Sequence, residues 1–200
     1  MAGVPTGTVT FLFTDIEGST KLWEEQPEAM RAALSRHDSL LRGAITANHG
    51  HIFKTVGDAF NAVFPTAPDA LAAALAAQQA LAVEPWPMPG GLRVRMTLHT
   101  GVAEERDGDY FGPTLNRAAR LLAAAHGGQT LLFRTTYELL QEALPAGVTL
   151  RDLGQHRLRD LARPEQIFQL AAPGLAAEFP SLKSLDTLPN NLPVQLTSFI

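Results

Sequence analysis

Apolar side chains recur at every second position where Val9, Phe11 and Phe13 alternate with Thr10, Leu12 and Thr14, the two-residue period of a buried strand. The run ends at Asp15, followed by Glu17, Gly18, Ser19 and Thr20; glycine admits a tight turn, and Ser19 or Thr20 is placed to cap a following helix. Residues 21–48 then read as helix, with Leu34, Leu41 and Ile45 at helical spacing, Pro27 marking a break or a new first turn, and Gly50 ending the segment. In residues 51–64 two short apolar runs meet at Val56, Gly57 and Asp58, a hairpin signal. Residues 65–83 predict an alanine-rich helix able to pack close to a sheet, and residues 84–91, with three prolines and two glycines, predict a loop.

Alternation returns over residues 92–100, a central strand ending at Gly101, and residues 104–110 read as an acidic turn. Residues 112–125 predict a helix whose buried stripe is Leu115, Ala118, Ala119 and Leu122. Asn116 and Arg120 stand four apart and so share one face beside that stripe. Short strands follow at 130–132, 148–151 and 167–170, with a helix near 135–142. Beyond Pro173 no period is sustained, so residues 1–173 are expected to form one domain and 174–200 a tail or linker. The order is mixed α/β (α+β): a ferredoxin-like βαββαβ core with an antiparallel or mixed sheet and flanking helices. A fold of this kind assigns no function by itself.

Composition narrows the field. A hydrophobic content of 46% suits a domain with a substantial core, and a net charge of −4 gives no basic face for nucleic acid or an anionic membrane. The absence of cysteine removes disulfides and thiolate metal sites. The start MAGVPTGT lacks the features of a signal peptide, and no apolar run is long enough to span a bilayer; a cytoplasmic protein is expected.

A carboxylate at the end of a buried strand, beside main-chain amides at a helix start, can hold a divalent cation while the amides hold phosphate oxygens. Taken alone, Asp15 is a turn residue, Asp58 ordinary hairpin chemistry and Lys54 a solvated strand lysine. Four segments together change that weighting. FTDIEGST, FKTVGDAF, LHTGVA and DYFGPTLNRAARL, in this order and spacing, resemble the catalytic domain of class III nucleotidyl cyclases, the adenylate and guanylate cyclases. The likeness runs from about Gly7 to Leu170, and the closing segment LGQHRLRDLARPEQIFQL also fits.

The resemblance implies roles for single residues. Asp15 and Asp58 match the two metal-binding aspartates, with the main-chain carbonyl of Ile16 completing one site; the implied cofactor is Mg2+ or Mn2+, two ions per site. Lys54 matches the lysine that reads adenine, and Asp109 its partner, with Asp107 the neighbouring alternative. The chemistry agrees: the adenine amino group donates to a carboxylate and its N1 accepts from an ammonium, whereas guanine reverses both edges. Asn116 matches the residue that orients the ribose, and Arg120 the arginine that neutralises charge on the α-phosphate. Arg95 resembles an arginine that holds terminal phosphates, and Arg159 stands where many relatives carry a phosphate-binding lysine. Gly18, Ser19 and Thr20 would line the phosphates. His99 reads as a packed strand histidine, and no side chain is placed as general base.

The expected reaction is ATP to 3′,5′-cyclic AMP and pyrophosphate. By family analogy the site lies between two domains, and a chain with the complete set implies a homodimer with two equivalent sites. The final segment NNLPVQLTSFI resembles the stretch that joins such a domain to a P-loop ATPase module in larger bacterial regulators, so a covalently attached ATPase or regulatory partner is expected. The alternatives are a catalytically weak or inactive ATP-binding module and a guanylate cyclase. A diguanylate cyclase would carry GG[DE]EF at the hairpin tip, which here reads VGDAF.

Overall fold

The computed structural model describes residues 4–187. Its first half follows the expected βαββαβ order. Strand β1 (Thr8–Ile16) leads into helices α1 (Ser19–Glu25) and α2 (Pro27–Ala47), then to the hairpin of β2 (His51–Val56) and β3 (Ala59–Phe64), helix α3 (Ala67–Val83) and strand β4 (Val94–Val102). The second half adds the small hairpin of β5 (Glu104–Arg106) and β6 (Asp109–Phe111), helix α4 (Pro113–Ala124), β7 (Thr130–Phe133), α5 (Arg134–Leu140), β8 (Thr149–His156) and β9 (Glu165–Ala171). The main sheet has the order β2-β3-β1-β4-β7-β9-β8, with β4 and β7 parallel and the other neighbours antiparallel.

Strand β1 is central and covered on both faces. Leu12 and Ile16 point into the large core under α2 and α3, while Val9, Phe11 and Phe13 point to the opposite face with Tyr110 and Ala118. The threonines between them are buried but bonded: Thr10 Oγ1 lies 2.9 Å from Thr100 Oγ1, and Thr14 Oγ1 accepts from the Phe60 amide at 3.2 Å. Both bonds satisfy hydroxyls that would be costly to bury alone. Alanine-rich α3 contributes Ala70, Ala73, Ala74 and Ala77 to the core, where the short side chains let its backbone approach the sheet.

Four expectations are corrected. Gly18, not Ser19 or Thr20, is the N-cap of α1: its φ of 74° is a conformation that glycine adopts without steric cost, and no side chain caps the helix. The acidic turn is a hairpin, β5 paired with β6, closed by Asp107 and Gly108 in left-handed conformations. Strand β4 continues through Gly101 to Val102, because its pairing with β1 extends to Thr8. The buried stripe of α4 is Thr114, Ala118, Leu121 and Ala124; Leu115 and Leu122 are partly covered at its edge, and Ala119 faces solvent.

Residues 174–187 have no periodic pattern, yet they return across the domain. Leu182 is buried with Leu121, Ala124 and Leu158, and Gln169 Nε2 donates to Ala177 O at 2.9 Å. The segment NNLPVQLTSFI lies outside the described residues. Among the described residues no helix is long and apolar enough to cross a membrane.

Candidate active site

Sheet order brings the two sequence-distant acids together. Strand β3 runs antiparallel to β1 with Thr14 opposite Phe60, so the tip of the β2–β3 hairpin falls beside the end of β1. Gly57, at φ 61°, lets that two-residue tip close. Asp58 Oδ2 then accepts from the Ile16 amide at 2.9 Å, one residue beyond Asp15, so its charge acts on the Asp15 carboxyl. On the other flank of β1, Arg95 of β4 is in register with Asp15, and its Nε donates to Asp15 Oδ2 at 2.9 Å, with a second bond from Nη2. Partial burial raises the Asp15 pKa above the ordinary carboxylate value; Arg95 opposes this, and the nearby charge of Asp58 adds to it. Two acids thus share one partly buried corner with a single guanidinium bonded to Asp15.

Lys54 and Asp109 meet across a different face. Phe53 of β2 and Tyr110 of β6 pack edge to face at 4.9 Å between ring centroids, both against Phe11. Their chain neighbours Lys54 and Asp109 are thereby set side by side, and the ammonium donates to the carboxylate. That bond holds the Asp109 carboxyl below its usual range. Tyr110 is itself fixed, because its hydroxyl donates to the Pro5 carbonyl. Between the two acids the resemblance left open, Asp109 is the one beside Lys54; Asp107 occupies the hairpin turn.

Asn116 and Arg120 lie one turn apart on the exposed face of α4. Arg120 Nη2 pairs with Asp160 Oδ2 at 2.8 Å, and the Arg159 guanidinium lies 4.0 Å from the same oxygen. Arg117 turns toward the sheet instead, bonded to Glu165 at 2.8 Å and stacked over Phe133. His99 is buried against the same Phe133 ring, and burial followed by the charge of Arg117 lowers its pKa to about 4. It is a packed histidine and is neutral at physiological pH.

Two residues without an assigned role stand next to this set. Glu17 follows the Asp15 turn: its Oε1 accepts from Lys183 Nζ at 2.6 Å and its Oε2 from the Gly127 amide at 3.0 Å. Desolvation pushes its carboxyl up, but those donors outweigh it and the net shift is downward. Asp160 is the other, the acid that holds Arg120. Neither partnership has a local signal, since Glu17 and Lys183 are 166 residues apart. Among the described residues no three His, Cys, Asp or Glu side chains cluster as a metal cage.

Comparison with known proteins gives the family of the chain as a whole. The family described as the adenylate and guanylate cyclase catalytic domain matches residues 2–171. The chain belongs to this family. It is a nucleotidyl cyclase domain. An uncharacterised protein of Mycobacterium tuberculosis is 44% identical over 200 residues, covering 98% of this chain and 67% of that protein. An adenylate cyclase of Podospora anserina is 32% identical over 83% of this chain, which spans only 10% of that much longer protein. Among solved structures, an adenylate cyclase of Trypanosoma brucei in its monomeric state superposes with a TM-score of 0.79 at 30% identity, covering 92% of this chain and 97% of that one.

Proposed function

We propose that this cyclase domain converts ATP to 3′,5′-cyclic AMP and pyrophosphate in a homodimer, with the acids of one subunit and the base-reading and transition-state residues of the other completing each site. The observation that carries this reading is the Asp15–Asp58 pair, two carboxylates from separate elements brought to the end of β1, where Asp58 bonds the Ile16 amide and its charge acts on Asp15. Their oxygen donors fit Mg2+ or Mn2+, which use one or two carboxylates together with substrate phosphates and water rather than a full protein cage. Two such ions, when bound, supply Lewis-acid activation of the ribose 3′-hydroxyl and neutralise phosphate charge.

The chain's own groups account for the rest. In the reaction the 3′-oxygen bonds to the α-phosphorus, the bond from that phosphorus to the bridging oxygen breaks, and pyrophosphate leaves; the hydroxyl proton passes to solvent. Asp109 accepts from the adenine amino group while Lys54 donates to N1, a pattern that favours ATP over GTP. Asn116 orients the ribose and Arg120 bears on the α-phosphate, after exchanging its Asp160 partner for substrate. Arg95 and Arg159 serve the terminal phosphates, Arg95 by leaving Asp15, and Gly18, Ser19 and Thr20 line the phosphate path.

What one subunit leaves apart supports the dimer reading. Among the described residues, no hydrogen bond or ion pair links the Asp15–Asp58 corner with Lys54, Asp109, Asn116 or Arg120. Val56, Val102 and Phe111, at the ends of β2, β4 and β6, expose apolar side chains suited to a partner's surface. The deciding experiment incubates the purified chain with ATP or GTP and Mg2+ or Mn2+, across protein concentrations, and measures cyclic nucleotide. Cyclic AMP formed with a specific activity that rises with protein concentration supports the reading. ATP binding without turnover under every condition would identify a regulatory module instead.

A further inference from the structure

Residues 181–187 touch both the turn that follows Asp15 at the end of β1 and the loop after β8 that carries Arg159 and Asp160. Lys183 Nζ donates to Glu17 Oε1 at 2.6 Å and to the Ala125 carbonyl at 3.3 Å, while its amide donates to the Ala124 carbonyl at 3.0 Å. Three positions on, Asp186 Oδ2 accepts from the Arg157 amide at 2.7 Å, and the Leu185 amide donates to the Arg157 carbonyl at 2.9 Å. Leu182 is buried against α4 and Leu158, so the backbone between these contacts is anchored.

Each contact reaches catalytic groups in one further step. Glu17 follows Asp15 by two residues, and its amide donates to the Arg93 carbonyl at 2.9 Å, two residues before Arg95. Arg157 opens the loop that carries Arg159 and Asp160, and Asp160 holds Arg120. The turn after β1 is also held by the Gly127 amide on Glu17 Oε2 and by the Glu17 amide on the Arg93 carbonyl, but the helix that follows it, α1, has no fully buried residue and no side-chain cap, and Leu22 is only partly buried against the core. An element with so little buried surface opens more readily than the core, so each tie to its first turn counts.

We infer that residues 181–187 form a strap that positions both halves of the catalytic set, Lys183 holding the Asp15 turn through Glu17 and Asp186 holding the loop whose Asp160 grips Arg120. Lys183, Glu17 and Asp186 are positioning residues. The consequence for turnover rests on the cyclase reading above; the coupling between strap and loops does not.

The test uses the full 200-residue chain and the variants Lys183→Met, Lys183→Arg and Asp186→Ala. Amide hydrogen exchange is read at residues 15–19 and 157–161, and the Mn2+ dependence of cyclic AMP formation is measured alongside. Lys183→Met speeds exchange at 15–19 by about two- to fivefold, the range expected for a half-exposed ion pair, and raises half-saturating Mn2+ by a similar factor with little change in kcat. Lys183→Arg restores both. Asp186→Ala speeds exchange at 157–161 and leaves 15–19 unaltered. Exchange that changes only within 181–187, or rises evenly over the whole sheet, overturns the inference. A wild-type chain without cyclase activity would defeat the functional reading, while the exchange measurements would still decide the strap.

Discussion

The Lys54 ammonium donates to the Asp109 carboxylate within one chain, so these two groups are paired before any purine arrives. Both are partly exposed, and parting them to admit a base costs little, about 1 kcal/mol or less for such a pair. On the proposed reading, discrimination comes from what they meet afterwards. A purine edge that fails to match leaves a donor or an acceptor unsatisfied. With ATP and GTP in parallel, Asp109→Ala and Lys54→Ala are each expected to reduce the preference for ATP by about tenfold or more. Wild-type protein that turns over both nucleotides equally well would remove this role from the pair.

Asp58 and Arg120 belong to separate clusters within one subunit, which makes complementation the direct probe of a shared site. Asp58→Ala and Arg120→Ala should each lower kcat by about 100-fold or more, the cost typical of removing a group aimed at developing charge. Mixed together, they should recover part of the activity, because a heterodimer holds one site free of both substitutions. Failure to recover, with subunit exchange demonstrated by a labelled subunit, would argue for a site contained in one chain.

His99 gives the fold a pH dependence independent of catalysis. Its ring is buried, Nδ1 has no hydrogen-bond partner among the described residues, and its folded pKa is lowered to about 4. Above the ordinary value near 6.5, neither folded nor unfolded chain protonates the ring. Below it the unfolded chain takes up a proton that the folded chain refuses, so stability falls as pH drops from about 6.5 to about 4 and levels off beneath that. The loss attributable to this residue is roughly 3 kcal/mol at most. Urea titrations at stepped pH should show a shallower decline for His99→Leu. An unchanged slope would mean that His37, also buried with a lowered pKa, dominates instead.

Two glycines near the α2–β2 connection should respond in opposite ways to alanine. A Cβ at Gly50 would lie 2.4 Å from Phe64 Cε1 and 2.6 Å from Ile45 Cγ2, both in the core. Gly50→Ala should cost about 1–3 kcal/mol, as overpacked sites do. Gly43, inside α2 with nothing within 4 Å of a Cβ, should gain about 0.5–1 kcal/mol as alanine. Denaturation midpoints that shift in the same direction for both would contradict this packing.

The places of these residues in the fold were legible because the flanking motifs are local, while their roles came only from the family resemblance. Asp15 lies near the end of a strand marked by its own alternation, Asp58 sits in a turn marked by Gly57, and Asn116 and Arg120 are spaced by one helical turn. The α4 stripe was misread because leucine and alanine lie all around that helix, and only the neighbouring strands decide which side is covered. Asp107 and Asp109 were likewise indistinguishable by composition, until the packing of Tyr110 on Phe53 set Asp109 beside Lys54.

The sequence alone determined the βαββαβ order and the kinds of group available to chemistry, because strand period, turn residues and helical spacing are short-range properties. Tertiary structure decided which groups face each other: Arg95 bonded to Asp15, Asp160 to Arg120, and Lys183 to Glu17. Those pairings depend on strand register and on where a patternless segment finds buried space for Leu182, and no local pattern encodes either.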